Sequence, residues 1–127
     1  MFVCIENSCR SQIAEAFTRI HGKERVEVTG AGSRPSGQVH PKAIKAMWEV
    51  GYDLTRHASK SLKGIPDIEY DVVVTMGCGD ECPFVRGKRH EDWAIPDPKH
   101  FSPDPFREIR NSIESEVKDL LRRLEVI

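Results

Sequence analysis

The feature that most constrains the fold of this chain is an apolar strand pattern at its start that leads, through one polar loop, into a helical pattern. Residues 1–3 form the β-like run, residues 4–11 form the loop, and the helical stretch follows at residues 12–17. A strand, a tight loop and a helix start in immediate succession direct backbone N–H groups, and the positive end of a helix dipole, into one small concavity. The segment therefore predicts a cradle for a tetrahedral oxyanion.

Cys4 and Arg10 bound this loop, with five residues between them. A guanidinium is permanently charged and binds an oxyanion through two parallel hydrogen bonds, so Arg10 is the expected clamp. The field of the helix is expected to stabilise Cys4 as a thiolate, and a thiolate that faces a bound oxyanion is a nucleophile with its electrophile in place. We predict that Cys4 is catalytic; the alternative is that two cysteines and an arginine share a loop by chance.

Length and composition exclude several classes of protein. The chain has 127 residues, 39% of them hydrophobic and 31% charged, which suits one domain spanning residues 1–127. Its formal net charge of −1 gives no reason to expect nucleic acid or an anionic membrane as a partner. No apolar run approaches the roughly 18–20 residues that span a bilayer. Four cysteines without an export signal indicate catalytic, redox or metal-binding roles and a cytoplasmic location.

Strand and helix patterns alternate along the chain. Strands are predicted at residues 25–29, 70–76 and 89–93, a turn at residues 30–32, and helices from Pro41 to Gly51 and from Pro103 to the end of the chain. The pattern predicts a three-layer α/β fold whose central, mostly parallel, four-stranded sheet carries helices on both faces. Ligands of such sheets bind outside the carboxyl ends of the strands, which is where Cys4 is expected.

Residues 7–12, followed by Ala14 and Glu15, resemble the signature of the low-molecular-weight protein tyrosine phosphatase fold, and more closely its arsenate reductase branch. The resemblance extends through residues 31–33, 40–43, 57–61, 78–83 and 93–98. It implies an enzyme of arsenic detoxification and resistance that reduces arsenate to arsenite. The alternative is a low-molecular-weight phosphatase that hydrolyses phosphate monoesters through a Cys4–phosphate. The chain departs from the family at Glu6, where glycine is common; a carboxylate there must point away from the cradle or repel the oxyanion.

A second cysteine pair, Cys78 and Cys82, directly follows the predicted strand at residues 70–76. Cysteines separated by three residues approach disulfide distance in a turn or a short helix, and Gly77 and Gly79 allow such a segment. The pair suggests a relay: Cys78 attacks the Cys4 adduct, and Cys82 then attacks Cys78. A metal site and inert buried thiols are the alternatives, and we assign no metal and no bound cofactor. The expected partner is an external thiol reductant: thioredoxin, glutaredoxin with glutathione, or mycothiol.

Asp97 lies between two prolines on a stiff loop, as rigid presentation of a general acid requires. In the family this aspartate protonates the departing oxygen, so the resemblance implies that Asp97 is the acid; the alternative is a plain turn aspartate. Phosphotyrosine phosphatases of this fold follow the acid with tyrosines, whereas this chain has Pro98, Lys99 and His100, which favours the reductase. Asp104 is expected to cap the last helix instead.

The other loop residues, Glu6, Asn7, Ser8, Cys9 and Ser11, complete the predicted oxyanion-binding loop. Asn7 is expected to organise the loop through its side-chain amide. Ser11 is expected to donate a hydrogen bond to the Cys4 thiolate. Cys9 is expected to be a small packing residue.

Glu15 and Lys60 are the predicted supports beneath the loop. Some arsenate reductases bind a potassium ion there, through the matching asparagine and glutamate plus a serine and an aspartate. Gly30 and Lys60 occupy the latter two positions here. Two interpretations of Lys60 stay open: it is a solvated surface lysine, or its ammonium takes the place of the ion and satisfies Asn7 and Glu15. None of the five histidines is assigned a role.

Overall fold

The computed structural model describes residues 1–77 and 84–127. The strands are β1 (Phe2–Cys4), β2 (Gly30–Gly32), β3 (Tyr70–Thr75) and β4 (Gly87–Asp92). The helices are α1 (Arg10–Gly22), α2 (Pro41–Trp48) and α3 (Pro103–Arg123), with 3₁₀ turns at Lys23–Arg25, Leu54–Arg56 and Leu62–Gly64. None of the helices in the described ranges combines the length and the apolar character needed to cross a membrane.

The four described strands form one parallel sheet in the order β2-β1-β3-β4, which confirms the predicted α/β fold. β1 and β3 are the central strands, with Val3 of β1 paired to Thr75 of β3. The carboxyl ends of parallel strands meet at the same edge of a sheet, so the loop after Cys4 and the chain after Thr75 leave the sheet side by side.

Alternate residues of the central strands face two hydrophobic cores. Phe2 and Val74 belong to the larger core, which also contains buried residues of α1, α2 and α3. Val3 and Val73 belong to the smaller core on the other face, against which Leu62 of the Leu62–Gly64 turn packs. Successive strand residues point to opposite faces, so among the described residues the α-helices cover one face, and the short turn with loop side chains such as Ile65 and Val85 covers the other.

The second strand does not lie where the sequence pattern predicted it. β2 is formed by Gly30–Gly32, the residues predicted as a turn, and of residues 25–29 only Thr29 bonds to β1, through its carbonyl oxygen and Phe2 N at 2.9 Å. The cause is the close approach of the loop after β1: a Cβ atom at Gly32 would lie 2.4 Å from the carbonyl oxygen of Ile5. The strand beside the loop therefore needs glycine, a residue that intrinsic β propensity disfavours. The valines of the predicted strand pack against the larger core without pairing.

Three other boundaries differ from the sequence prediction. β4 spans Gly87–Asp92 rather than residues 89–93, and the second helix ends at Trp48, three residues before the predicted Gly51. Asp104 is not the cap of α3, because Ser102 occupies the cap position. Asp104 lies in the first helical turn and forms an ion pair with Arg107 at 2.7 Å.

Candidate active site

The loop between β1 and α1 is held from outside through its carbonyl groups. The carbonyl oxygens of five successive residues accept hydrogen bonds from neighbouring groups: Cys4 from Ser33 N (3.3 Å), Ile5 from Arg34 N (2.8 Å), Glu6 from Ser36 N (3.0 Å), Asn7 from Gln12 Nε2 (3.0 Å) and Ser8 from His40 N (3.0 Å). A trans peptide holds its C=O and N–H on opposite sides, so outward carbonyls turn the following N–H groups inward. Inward N–H groups are what an anion cradle requires.

The sulfur of Cys4 lies at the base of this loop and is buried. The backbone N–H of Asn7 donates to Sγ at 3.1 Å, and the Ser11 hydroxyl lies 2.9 Å from it. The side-chain amide of Asn7 donates to the Ser11 oxygen at 2.7 Å, which leaves the hydroxyl hydrogen for the sulfur. Both contacts suit a negatively charged sulfur.

Arg10, the first residue of α1, is also buried and spans the carboxyl ends of two strands. Its Nη1 donates to the carbonyl of Met76, after β3, at 2.5 Å and to the carbonyl of Ile95, after β4, at 2.9 Å. Gly77 has a φ of +78°, and a Cβ there would lie 3.1 Å from Nη1. The guanidinium is thus fixed through Nη1, and its other nitrogens carry N–H groups that are suitable for binding a ligand.

A cavity of about 210 Å³ opens above the sulfur and is lined by Cys4, Arg10 and Asp97 together. The predicted nucleophile, clamp and acid are therefore neighbours in space, although 93 positions separate the first from the last. A larger cleft, of about 840 Å³, lies at the other edge of the sheet, beside Tyr70 and Leu124, and none of the three lines it.

Asp97 is exposed at the mouth of this cavity. Its Oδ1 accepts a hydrogen bond from the backbone N–H of Lys99 at 3.2 Å, and the prolines on either side restrict the backbone. The carboxyl group is thus presented on the solvent side of the cavity, opposite the sulfur at its base.

Glu6 lines the cavity too, and its charge is compensated in a way that the sequence analysis did not foresee. Its carboxylate accepts a hydrogen bond from Lys99 Nζ at 2.9 Å and one from the Ser8 hydroxyl at 3.4 Å. The Lys99 ammonium holds the pKa of Glu6 below its ordinary value, so the carboxylate stays ionised at neutral pH. The lysine is visible in the sequence, but only the fold brings it to a residue 93 positions away.

Of the three cysteines other than Cys4, the structure describes Cys9. Cys9 is buried, and burial, together with the charge of Asp97, raises the pKa of its thiol to about 12. Cys9 is therefore a neutral packing thiol at physiological pH, as the sequence analysis expected. Cys78 and Cys82, the predicted relay residues, lie outside the described residues.

Asn7 lies at the centre of the loop, fully buried, with a φ of +49°. Its Oδ1 accepts hydrogen bonds from the backbone N–H of Lys60 at 2.8 Å and from Gln12 Nε2 at 3.0 Å. Asparagine tolerates this left-handed backbone better than most residues do. One side chain therefore ties the loop to α1 and to the chain at residue 60.

Glu15 lies beneath the loop, buried among three basic side chains. Its carboxylate lies 3.0 Å from His57 Nδ1, 3.5 Å from Arg19 Nε and 3.7 Å from Lys60 Nζ. The expectation for Lys60 thus agrees with the structure for Glu15 and is wrong for Asn7, whose partner is the backbone N–H of Lys60 rather than its ammonium.

His57 is the residue of this region that the sequence analysis missed. Its Nδ1 contacts acceptor oxygens of Glu15 (3.0 Å) and Gln12 (2.9 Å), so Nδ1 carries the hydrogen and Nε2 accepts from the Tyr52 hydroxyl at 2.6 Å. Burial lowers the pKa of His57, which favours this neutral form. The sequence did contain a signal for His57, because it belongs to residues 57–61, a segment that resembles the family.

Comparisons with known proteins agree with this geometry. A family model described as low molecular weight phosphotyrosine protein phosphatase matches residues 1–126. A relative named glutaredoxin arsenate reductase, from Synechocystis sp., is 39% identical over 127 residues, which cover 98% of this chain and 96% of the relative.

Solved structures give the same picture. A structure described as an arsenate reductase in the phosphate binding state superposes with a TM-score of 0.88 at 39% identity and covers 97% of this chain and 95% of that one. The thioredoxin-dependent arsenate reductase of Corynebacterium glutamicum superposes with a TM-score of 0.77 at 32% identity and covers 98% of this chain and 60% of that one.

Proposed function

The chain belongs to the low molecular weight phosphotyrosine protein phosphatase family, and within that family we propose that it is an arsenate reductase. The observation that carries the proposal is the buried Cys4 sulfur, which faces two hydrogen-bond donors and shares one cavity with Arg10 and Asp97. An anion cradle with a nucleophile at its base and an acid at its mouth suits attack on a tetrahedral oxyanion. The relatives' names identify that oxyanion as arsenate.

The first proposed step forms a bond between the Cys4 sulfur and arsenic. Arg10 and the inward N–H groups of the loop hold the arsenate oxygens. One arsenate oxygen leaves as water after Asp97 supplies a proton to it. Negative charge develops on arsenate oxygens that already face fixed hydrogen-bond donors. The protein therefore needs little rearrangement to stabilise the transition state.

The second proposed step reduces the arsenic. The Cys78 thiolate attacks the Cys4 sulfur, an S–S bond forms, the S–As bond breaks, and its electron pair stays on arsenic, which leaves as arsenite. Two thiols are oxidised to one disulfide while As(V) becomes As(III). Cys82 then attacks Cys78, which releases Cys4 as a thiol and leaves a Cys78–Cys82 disulfide.

An external thiol reductant closes the cycle by reducing that disulfide. One relative is named a glutaredoxin arsenate reductase and another a thioredoxin-dependent arsenate reductase, and mycothiol is the third candidate. Such reductants maintain protein thiols in the cytoplasm, where we propose that the protein acts.

Phosphatase activity is the second candidate, because the family description names it and the first step is shared. In that reaction Cys4 attacks phosphorus, the ester alcohol leaves with the proton of Asp97, and water hydrolyses the Cys4–phosphate. The chain after the acid, Pro98, Lys99 and His100, offers no aromatic wall for a phosphotyrosine ring. Reduction of arsenate is therefore the preferred activity, with hydrolysis of small phosphate esters as a side reaction.

Counting free thiols before and after one equivalent of arsenate, without reductant, tests the proposal. The reductase loses two thiols for each arsenite released, whereas a phosphatase or a simple oxyanion-binding protein loses none. Cys4→Ser should abolish both thiol loss and arsenite release, and Arg10→Lys should do nearly the same because a point charge loses the bidentate geometry. Arg122→Lys is the matched control for Arg10→Lys and should retain activity, since Arg122 is exposed and does not line the cavity. Arsenite formation by Cys4→Ser would refute the assignment.

Mass spectrometry of trapped species tests the relay. Cys82→Ser should complete one turnover and stop as a Cys4–Cys78 disulfide, and Cys78→Ser should stop at arsenylated Cys4. Repeated turnover by Cys82→Ser with a protein reductant would show that an external thiol resolves the intermediate instead.

A further inference from the structure

An ion pair between Glu6 and Lys99 forms part of the lining of the oxyanion cavity. One side chain comes from the loop after β1 and the other from the segment that carries Asp97. Their charged atoms are 2.9 Å apart, and each side chain is about one third exposed, at 30% for Lys99 and 37% for Glu6. Because both side chains line the cavity and also reach solvent, we take their ion pair to lie at the opening of the cavity and to narrow it.

The backbone that carries Lys99 is fastened on both sides. The ammonium of Lys42, at the start of α2, donates to the carbonyl oxygens of Lys99 and Phe101, each at 2.9 Å. The backbone N–H of Lys99 in turn donates to Asp97. The backbone at Lys99 is thus held by Lys42 of α2, and the Lys99 side chain binds Glu6. The ion pair therefore connects the segment that carries Asp97 to the oxyanion loop.

Electrostatics gives this pair a consequence for ligand binding. A bound arsenate or phosphate dianion shares the cavity with the guanidinium groups of Arg10 and Arg34 and with the side chains of Cys4 and Asp97. An unpaired carboxylate at Glu6 would add a further negative charge to the same small volume, where like charges oppose binding. The hydrogen bond to Glu6 raises the pKa of Lys99, so the compensating charge is present throughout the neutral range.

We propose that Lys99 is a specificity-determining residue of the oxyanion site, which cancels the charge of Glu6 and, bridged to it, bars the mouth to oxyanions that carry a bulky substituent. The site then accepts inorganic tetrahedral oxyanions and discriminates against aryl esters. This inference rests on the proposed function only for the location of the oxyanion site, and its test uses ligand binding without turnover. Failure of arsenate reduction and failure of the ion-pair role are therefore separate results.

The charge part is tested with neutral side chains of nearly the same size. Inorganic phosphate is titrated by calorimetry into the wild type, Lys99→Gln, Glu6→Gln and the double variant. Lys99→Gln should weaken phosphate binding by about fivefold, a modest effect because the charge that is removed lies partly in solvent. The double variant should return to within about twofold of the wild type, since the energies of coupled residues do not add. Lys99→Arg should bind phosphate as the wild type does.

Equal weakening by Lys99→Gln with and without the Glu6→Gln change would refute charge compensation, because Lys99 would then act on the anion directly. No weakening in either background would refute it as well. Lys88→Gln is the matched control: Lys88 is an exposed lysine, paired with Asp71 at 3.6 Å, and it does not line the cavity. Thermal melts of each variant establish that the fold is retained.

The shape part is tested by comparing phenylphosphonate with phosphate as ligands. The Glu6→Gly, Lys99→Ala double variant removes the bar, whereas the Glu6→Gln, Lys99→Gln double variant keeps two side chains at the mouth. Only the first should lose the preference for phosphate, by about tenfold in the ratio of the two dissociation constants, or about 1.4 kcal/mol. An unchanged ratio in the Glu6→Gly, Lys99→Ala variant would refute the bar.

Discussion

Replacement of Asn7 by alanine probes how the oxyanion loop is held. The Asn7 side chain is fully buried and makes three hydrogen bonds: Oδ1 accepts from Lys60 N and from Gln12 Nε2, and Nδ2 donates to Ser11 Oγ. Alanine removes all three hydrogen bonds. It must also adopt a φ of +49°, a left-handed conformation that alanine tolerates less well than asparagine does. The change therefore acts on hydrogen bonding and on backbone strain together.

The three bonds are not of equal weight. Gln12 Nε2 keeps two other acceptors, the carbonyls of Asn7 and Ala58, and Ser11 keeps its contact with Cys4. The N–H of Lys60 makes a partly buried hydrogen bond and is left without its acceptor, at a cost of about 1–3 kcal/mol. The other two bonds add about 1 kcal/mol together, and the left-handed backbone adds about 1 kcal/mol more for alanine than for asparagine. The expected loss is about 4 kcal/mol, a large part of the stability of a typical domain.

Urea unfolding followed by circular dichroism measures this loss. Asn7→Gly removes the same hydrogen bonds but tolerates the positive φ, so it should be about 1 kcal/mol more stable than Asn7→Ala. The matched control is Asn111→Ala, an exposed helical asparagine that accepts from Arg110 Nε at 3.1 Å, with an expected change within about 0.5 kcal/mol. If Asn7→Ala costs no more than Asn111→Ala, the loop is not held by this side chain.

Three further predictions follow from other contacts. Gly32→Ala would place a Cβ 2.4 Å from a loop carbonyl and should abolish phosphate binding in a calorimetric titration, whereas Gly64→Ala, with no atom within 4 Å of its Cβ, should bind normally. Because the Lys60 ammonium lies 3.7 Å from Glu15, melting curves in potassium and in sodium at equal ionic strength should superpose; a melting temperature several degrees higher in potassium would contradict this. Glu49 accepts hydrogen bonds from Arg107 at 2.8 Å and from Arg110 at 2.9 Å, which lower its pKa from 4.5 to about 2. Its stabilising effect is therefore complete above pH 4.5 and is lost as the pH falls towards 2. Glu49→Gln should accordingly melt below the wild type at pH 7 and together with it near pH 2, and a constant difference over this range would refute the assignment.

The sequence by itself determined the features that depend on short stretches of chain. The order of strand, loop and helix at residues 1–17 follows from hydrophobic pattern and local turn chemistry, and it suffices to place Cys4 and Arg10 around one concavity. The alternation of elements predicted the parallel sheet, and therefore the edge at which the site lies. The buried strand at residues 70–76 was predicted nearly to its ends, because its apolar run reports burial on both faces.

The tertiary structure decided everything that depends on contacts between distant residues. The strand predicted at residues 25–29 was wrong: the strand beside the loop is Gly30–Gly32, where the close approach of the Ile5 carbonyl leaves no room for a side chain at position 32, and a pattern of side chains cannot report that. The bridge from Lys99 to Glu6 joins residues 93 positions apart, and His57 reaches Glu15 only because the chain returns beneath the loop. A charge or an imidazole looks like a surface residue in sequence until packing supplies its partner, since its role is set by the neighbour and not by the residue itself.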